Sequence, residues 1–334
     1  MSVEDSQKKR YWLLTSPRTA SNLLIRILNL DAQGVPAARL GGYFFFPNAL
    51  TRVKMCVRPV SEWTPEEYAE VNEAAKGCFR ALQNHVEAAE AAGHKVFIKE
   101  HIGFICSVYS DAEVFNGGPV ENARPPGSIE PMHGLTTATQ SALNFTCLPD
   151  EFLKTWHPTF LIRHPAMQLP SNYRTALTEV KMDGVGRHKP ELYETEGTLK
   201  FVRGLHDFYV NHFGKDSIWP LVLDADDIIE TPEIVAKYAG LVGLDASKLK
   251  LSWDKITQEK YEQLIPAEKV MLSTIHASTG IIKEKAAGNI DIDVEAVKWR
   301  AEFGEEGAKN LVRWVRQMMP DYEYLRSRRL RLDN

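Results

Sequence analysis

Cysteine is scarce in this chain of 334 residues. Its four cysteines, Cys56, Cys78, Cys106 and Cys147, stand far apart, and no CxxC pair occurs. Chains of this length seldom depend on a disulfide framework, and a zinc site built on cysteine requires closely spaced ligands. We therefore expect four reduced, mostly buried thiols, and neither a disulfide-stapled fold nor a metal site.

Long apolar runs and an excess of basic charge are also missing. No stretch approaches the roughly 18 apolar residues that a membrane-spanning helix requires, and the polar segment MSVEDSQKKR does not resemble a secretory signal. Lys plus Arg is 40 and Asp plus Glu is 44, which gives a net charge of −4. The basic surface typical of nucleic-acid-binding proteins is therefore not indicated. We expect a cytoplasmic protein that binds neither membranes nor nucleic acid.

Short strand-like runs alternate with helical patterns along the chain. The runs rich in strand-forming residues lie at 11–15, 95–99, 159–163 and 220–223. Helical spacing of apolar residues follows at about 20–30, 64–92, 165–177, 195–213 and 293–319. This alternation predicts an α/β fold with a parallel sheet flanked by helices. Because no linker composition interrupts it, we expect a single domain over 1–334, with a helical C-terminal region at about 232–330.

Residues from about 103 to 155 interrupt this alternation. The sequences Gly117-Gly118-Pro119 and Pro125-Pro126-Gly127 are typical of turns. Irregular segments longer than about 15 residues in a compact domain are commonly functional lids or disordered. The sequence therefore predicts a loop-rich binding or lid region here.

Basic or polar side chains follow the first three predicted strands. They are Arg18 after the first strand, Lys99 and His101 at the second, and Arg163 after the third. Ligands of parallel sheets bind beyond the carboxyl ends of the strands. We therefore expect these side chains to converge on one edge of the sheet.

The loop after the first predicted strand opens a helix. Backbone N–H groups at the beginning of a helix bind phosphate, and Arg18 adds a charged donor. Thr19, Ser21 and Asn22 add side-chain donors. The nucleotide-triphosphate sequence G-x-x-x-x-G-K-[ST] does not occur. The alternative is an ordinary polar turn that caps a core helix.

Two further groups suit phosphate and proton chemistry. Arg163 at a strand end and Ser171 on the next helix have the right donors to hold one phosphate, although an arginine at such a position is often a surface ion pair. His101 is a candidate general base near neutral pH. Strand alternation puts Lys99 on the same side as His101. The alternative is a structural histidine, and His133 and His164 compete for the same role.

Together these segments resemble the sulfotransferases that use 3′-phosphoadenosine-5′-phosphosulfate (PAPS). Residues 17–22 (PRTASN) are similar to the family's 5′-phosphosulfate loop, P-[KR]-S-G-[ST]-[ST]. Arg163, Pro165 and Ser171 match its 3′-phosphate motif, R-x-P with a serine eight residues after the arginine. Lys99-Glu100-His101 matches its K-x-H at the end of an intermediate strand. The resemblance covers about residues 11–230 and implies the P-loop-like sulfotransferase fold.

The chain departs from the family pattern at several positions. Arg18 stands where vertebrate members have lysine, so the resemblance is to a microbial or fungal-type member. Ala20 replaces the usual glycine, and alanine is less free than glycine to adopt positive φ. Asn22 stands where Ser or Thr is usual. The C-terminal R-K-G phosphate loop is not recognisable, and residues 279–285 (TGIIKEK) are a candidate for it.

The resemblance implies transfer of a sulfuryl group from PAPS to a hydroxyl, phenol or amine of a small, hydrophobic acceptor. The product would be 3′,5′-adenosine bisphosphate, and no metal would be needed. Arg18 would stabilise the leaving phosphate, Lys99 would support the sulfuryl oxygens, and His101 would accept the acceptor's proton. The residues implied to hold the two phosphates are Arg18, Thr19, Ala20, Ser21, Asn22, Arg163 and Ser171.

Other interpretations stay open at this point. One is a sulfotransferase-fold protein without sulfuryl-transfer activity, which binds a ligand or catalyses another reaction. Another is a nucleotide-dependent kinase, against which the missing Gly-Lys-Ser/Thr loop argues. The aromatic residues at 43–46, with Phe104 and Phe145, predict either an acceptor pocket or an aromatic core cluster. The sequence determines neither the acceptor nor the oligomeric state.

Overall fold

The four strands predicted from the sequence form one parallel sheet. A computed structural model describes residues 9–55, 62–115, 138–181, 187, 192–264 and 266–333. Its strands are β1 (Arg10–Thr15), β2 (Val96–His101), β3 (His157–Ile162) and β4 (Leu221–Asp224). They lie in the order β2-β1-β3-β4, and β1 and β2 pair in parallel, with Thr15 opposite His101. The predicted α/β class is confirmed.

Helices flank the sheet and dominate the C-terminal part of the chain. They are α1 (Ser21–Leu28), α2 (Phe46–Met55), α3 (Pro65–Ala91), α4 (Ile102–Ile105), α5 (Val108–Phe115), α6 (Asp150–Leu153), α7 (Pro165–Glu179), α8 (Lys200–Phe213), α9 (Ala225–Glu230), α10 (Glu233–Leu241), α11 (Gln258–Gln263), α12 (Pro266–Met271), α13 (Ser273–Ala277) and α14 (Ile292–Arg326). Short 3-10 turns occupy Leu30–Gln33, Arg39–Gly42, Glu194–Glu196, Ala246–Lys248 and Lys283–Lys285.

Local sequence signals explain where α3, the helix predicted at 64–92, begins. The Thr64 hydroxyl accepts the backbone N–H of Glu67, and the Glu67 carboxylate accepts the N–H of Thr64. This reciprocal pair satisfies two N–H groups that the first turn of a helix leaves unbonded. Pro65 follows as the first helical residue, where its missing N–H costs nothing. The predicted helix at 64–92 is therefore confirmed.

The prediction of irregular structure from residue 103 onwards is wrong for its first part. Helices α4 and α5 occupy this region up to Phe115. The guanidinium of Arg52 donates to the carbonyls of Gly103 and Cys106, and its Nε lies 3.1 Å from the Asp111 carboxylate. These contacts join residues more than fifty positions apart, so no local sequence pattern indicates them. Residues 116–137, which carry the turn sequences, lie outside the described residues.

The C-terminal helix α14 is longer than its apolar pattern predicts, and it is not continuous. Gly304, at φ 76° and ψ 178°, breaks it into two helical segments. The Tyr322 hydroxyl donates to the Asp224 carboxylate at 2.8 Å, which fastens the second segment to the end of β4. Beyond the helix, the N–H of Leu330 donates to the carbonyl of Val222.

The chain forms two compact units, within each of which the residues lie close together. The first consists of residues up to 15 together with 30–160 and 201–221, and the second of 16–29, 161–200 and 222–334. In the first unit, the rings of Trp12 and Trp156 pack with centroids 5.0 Å apart. In the second, Leu311 and Val315 of α14 are fully buried. The expectation of a single domain stays a prediction.

The three cysteines that the structure describes form no disulfide with one another. Cys78 and Cys106 are buried thiols, and Cys147 is a partly buried one. Burial raises the pKa of the Cys78 thiol, which keeps it in its unreactive protonated form. Cys56 lies outside the described residues. Among the helices that the structure describes, none combines the length and apolar character needed to cross a membrane.

Candidate active site

The loop between β1 and α1 adopts an unusual backbone. Arg18 and Ala20 are both left-handed, with φ of 65° and 64°, and Ala20 is the residue that precedes the first turn of α1. Left-handed residues in such a turn form a concavity of backbone N–H groups that binds anions. The buried Thr19 hydroxyl donates to the Ser16 carbonyl at 2.9 Å and braces the loop. The Cβ of Ala20 therefore does not prevent the conformation that glycine would adopt more easily.

The side chain of Arg18 joins this loop to α7. Its Nε donates to the Ser171 hydroxyl at 2.9 Å, and its Nη1 donates to the Met271 carbonyl at 3.1 Å. Arg163 also contacts the loop, because its Nη1 donates to the Arg18 carbonyl at 3.0 Å. The structure thus brings together Arg18, Arg163 and Ser171, which are up to 153 residues apart in the chain.

Arg163 is held in the interior of this cluster. Arg163 is only 8% exposed, and its Nη2 donates to the Lys285 carbonyl at 2.8 Å. Its Nε is buried and has no hydrogen-bond acceptor among the described residues. Burial lowers the pKa of the Arg163 guanidinium, while Asp226 opposes that effect. A buried guanidinium with one unsatisfied N–H suits an anionic ligand.

Two contacts of this cluster were missed by sequence reasoning. They are the backbone carbonyls of Met271, at the end of α12, and of Lys285, in the turn Lys283–Lys285. Every residue type has a backbone carbonyl, so the sequence does not indicate these two contacts. The segment 279–285, the candidate for the missing C-terminal phosphate loop, does reach Arg163 through Lys285.

His101 is the last residue of β2. It is buried, with 8% of its surface exposed, and its Nδ1 lies 2.6 Å from the Thr15 hydroxyl oxygen. The ring centroids of Tyr43 and Phe104 lie 4.5 Å and 5.0 Å from that of the imidazole. His101 is therefore fixed by a hydrogen bond at one ring nitrogen and by aromatic rings at its faces and edge.

Lys99 and Glu100 are two buried ionisable residues that precede His101 in β2. The Lys99 Nζ lies over the Tyr43 ring, 4.2 Å from its centroid, and burial lowers the pKa of this amine to about 8. Glu100 is 1% exposed, and its carboxylate accepts the N–H of Phe45 at 2.9 Å and of His101 at 3.0 Å. Burial outweighs these bonds and raises the pKa of Glu100 to about 8. No functional role was predicted for Glu100 from the sequence.

The aromatic residues near His101 separate into two groups. Phe44 and Phe45 are core residues, 3% and 0% exposed. Tyr43, Phe46 and Phe104 are half-buried, and the rings of Phe46 and Phe104 lie 5.4 Å apart. The interpretation as core residues therefore holds for Phe44 and Phe45, and the acceptor pocket stays a prediction for the other three. Phe145 is half-buried, and its ring packs against Phe201 of α8.

His164, one of the competing histidines, has a structural role in α7. It precedes the first turn, and its Nδ1 accepts the N–H of Ala166 at 3.2 Å. Its ring contacts Tyr322 with centroids 5.2 Å apart. Burial lowers the pKa of His164. His133 lies outside the described residues.

Comparison with known proteins gives relatives along the whole chain. No family model matches. The sulfotransferase ppzF of Metarhizium rileyi (strain RCEF 4871) is 41% identical over 347 residues, covering 100% of this chain and 99% of the relative. The sulfotransferase ppzF of Metarhizium majus (strain ARSEF 297) is 40% identical over 349 residues, covering 100% of both chains.

One solved structure is also similar. The sulfotransferase domain from the Synechococcus PCC 7002 olefin synthase aligns with 91% of this chain and 98% of its own, at 13% identity and a TM-score of 0.38. At that distance the likeness does not identify the fold. The full-length identity to the two fungal proteins is decisive, and it shows that this chain belongs to the sulfotransferases.

Proposed function

We propose that this protein transfers a sulfuryl group from PAPS to a hydroxyl, phenol or amine of a small, hydrophobic acceptor. The observation that carries the proposal is the buried guanidinium of Arg163, whose Nε has no acceptor within the described part of the chain. It is grouped with Arg18 and Ser171. PAPS differs from an ordinary 5′-nucleotide by a second phosphate on the ribose. An oxygen atom of that phosphate would accept the hydrogen bond of the Arg163 Nε–H.

The donor's two phosphate groups would be held by different parts of this cluster. The left-handed loop, with the N–H groups of Thr19, Ala20, Ser21 and Asn22, suits the 5′-phosphate. Arg163 and Ser171 suit the 3′-phosphate. Arg18 would stabilise the negative charge that develops on the leaving phosphate, which is where a fixed cation lowers the barrier most.

The proton of the acceptor would pass to His101. When bound, PAPS supplies an activated sulfuryl group. The acceptor oxygen forms a bond to sulfur while the bond between sulfur and the bridging oxygen breaks, and that oxygen leaves with 3′,5′-adenosine bisphosphate. His101 takes the acceptor's proton as the new bond forms. Lys99 would balance charge on the sulfuryl oxygens, and the half-buried rings of Tyr43, Phe46 and Phe104 would contact an apolar acceptor.

Calorimetry with two nucleotides tests the donor assignment without requiring an acceptor. We expect 3′,5′-adenosine bisphosphate to bind about 10- to 100-fold more tightly than 5′-AMP, since a hydrogen bond to a charged group contributes about 1.5–3 kcal/mol. Arg163→Met should remove most of this difference, because it should weaken binding of the bisphosphate far more than binding of 5′-AMP. Equal affinity of the unaltered protein for the two nucleotides would refute the assignment.

Arg174→Met is the matched control for this experiment. Arg174 lies on α7, the same helix as Ser171, but its guanidinium is exposed and pairs with Glu302. We expect this variant to keep the preference for the bisphosphate. Loss of the preference in both variants would point to a general loss of positive charge rather than to a 3′-phosphate site.

A further inference from the structure

Thr15 lies beside the proposed base, at the end of the neighbouring strand. It is fully buried and pairs in register with His101 across β1 and β2. Its Oγ1 makes two contacts, one of 2.6 Å with the His101 Nδ1 and one of 3.4 Å with the Glu100 carbonyl oxygen. Both contacts lie within the first unit.

The two contacts of the Thr15 hydroxyl together favour one direction for each bond. A hydroxyl has one proton to donate and two lone pairs that accept. The Glu100 carbonyl can only accept, so in that contact the proton belongs to Thr15. The contact with His101 is then a hydrogen bond only if the imidazole Nδ1 carries a proton and donates it to Oγ1. One assignment alone satisfies both contacts.

We propose that Thr15 is a positioning residue that holds His101 as its Nδ1–H tautomer. Which imidazole nitrogen carries the proton is set by the hydrogen bond that the other makes. With the proton on Nδ1, the lone pair lies on Nε2, the nitrogen on the opposite side of the ring. This inference rests on the proposed function in one respect, namely that His101 is the base that accepts the acceptor's proton.

The surroundings of the imidazole support a positioning role. The backbone N–H of His101 donates to the buried Glu100 carboxylate, which holds the main chain at the end of β2. Tyr43 and Phe104 contact the ring itself. The Thr15 hydroxyl bonds to Nδ1, so we expect a change there to alter the proton's location while the packing of the ring persists.

Nuclear magnetic resonance of the nitrogen-15-labelled protein tests the tautomer without an acceptor. At a pH where the ring is neutral, we expect long-range proton–nitrogen correlations to show a protonated Nδ1 and an unprotonated Nε2 for His101. Thr15→Val, which keeps the shape and removes the hydroxyl, should shift the ring toward Nε2–H. Thr15→Ser should retain the original pattern. A predominant Nε2–H form in the unaltered protein would overturn the inference and leave the proposed function standing.

Kinetics separate this inference from the proposed function. With PAPS and a phenol that the unaltered protein sulfates, 2-naphthol being the first probe, Thr15→Val should lower kcat about 10- to 100-fold, the loss typical when a partner that orients a functional histidine is removed. The Kd for 3′,5′-adenosine bisphosphate should stay within a few-fold, and Thr15→Ser should restore kcat. His101→Ala should lose at least as much activity as Thr15→Val.

Each remaining outcome has a definite meaning. Normal kcat in Thr15→Val, together with an inactive His101→Ala variant, would refute the positioning role of Thr15. Normal kcat in His101→Ala would refute the assignment of the base in the proposed function. His94→Ala is the control for both measurements, because His94 is exposed just before β2 and its loss should change neither the tautomer of His101 nor kcat.

Discussion

At the scale of single residues, the loop between β1 and α1 adopts a backbone conformation that residues with a Cβ disfavour. A left-handed conformation costs a residue with a Cβ about 1–2 kcal/mol, and Arg18 and Ala20 both have it. Strain of this kind persists where the surrounding structure enforces it, commonly at functional sites. Here the hydrogen bonds from the Thr19 hydroxyl to Ser16 and from Arg163 to the Arg18 carbonyl hold the loop.

Ala20→Gly should therefore stabilise the protein. We expect the free energy of unfolding in urea to rise by about 0.5–1 kcal/mol, because relief of the left-handed strain exceeds the greater freedom that glycine has in the unfolded chain. Ala301→Gly is the matched control. Ala301 is exposed within α14, where glycine should instead cost about 1 kcal/mol. A loss of stability in Ala20→Gly would contradict the strain.

At the scale of elements, the segment 39–46 is pressed against the end of β2. A Cβ on Gly42 would lie 2.9 Å from the carbonyl oxygen of Lys99, and Gly42 has φ of +106°. Three residues later, the N–H of Phe45 bonds to the buried Glu100 carboxylate. Tyr43 lies between these two attachments and contacts both Lys99 and His101. The close approach at Gly42 thus positions the aromatic ring at the candidate active site.

Two adjacent glycines separate the effects of strain and close packing. Gly41→Ala should cost about 1 kcal/mol, because Gly41 has φ of +68° but open space around its Cα. Gly42→Ala should cost about 2–4 kcal/mol, since the methyl group also meets the backbone of Lys99. Urea unfolding of both variants measures the difference. Equal losses would show that segment 39–46 moves away from β2 without penalty.

At the scale of the whole molecule, the attachment of α14 to β4 makes stability depend on pH. Asp224 is 1% exposed and accepts the Tyr322 hydroxyl. Burial raises the pKa of Asp224 from 3.8 to about 6. The folded protein therefore holds this proton more tightly than the unfolded chain does. The corresponding stability is fully present below pH 3.8 and is lost as the pH rises through about 6.

Asp224→Asn should remove this dependence while keeping the helix cap. Asparagine caps helices as well as aspartate does, since its amide oxygen can take the place of the oxygen that accepts the Asp226 N–H. Its NH2 group then takes the place of the other oxygen and donates to the Tyr322 hydroxyl oxygen. The free energy of unfolding of the variant, relative to the unaltered protein, should increase by about 3 kcal/mol between pH 3.5 and pH 7. The low-pH values are the internal control, because both side chains are uncharged there. A difference that does not change with pH would contradict the raised pKa.

Much of the fold follows from local sequence, because local sterics and patterning act over a few residues. Short runs rich in strand-forming residues predict all four strands, and the Thr64–Glu67 pair marks where α3 begins. Helices α4 and α5 were not predicted from the sequence. The Gly103 carbonyl of α4 accepts a hydrogen bond from Arg52, which is distant in the chain, so no local pattern indicates this contact. The break at Gly304 was also missed, because an apolar stripe continues on both sides of it.

The sequence alone determined which residue types stand at the ends of the strands, and so the resemblance to the sulfotransferases. Only the tertiary structure decided what those residues do to one another. The bond from Arg18 to Ser171, the contact of Thr15 with the His101 Nδ1, and the left-handed backbone of Ala20 all depend on neighbours that the chain brings close by folding. A hydrogen bond is specified by distance and angle between two atoms. Sequence spacing constrains those quantities within one helix or strand, but not between elements.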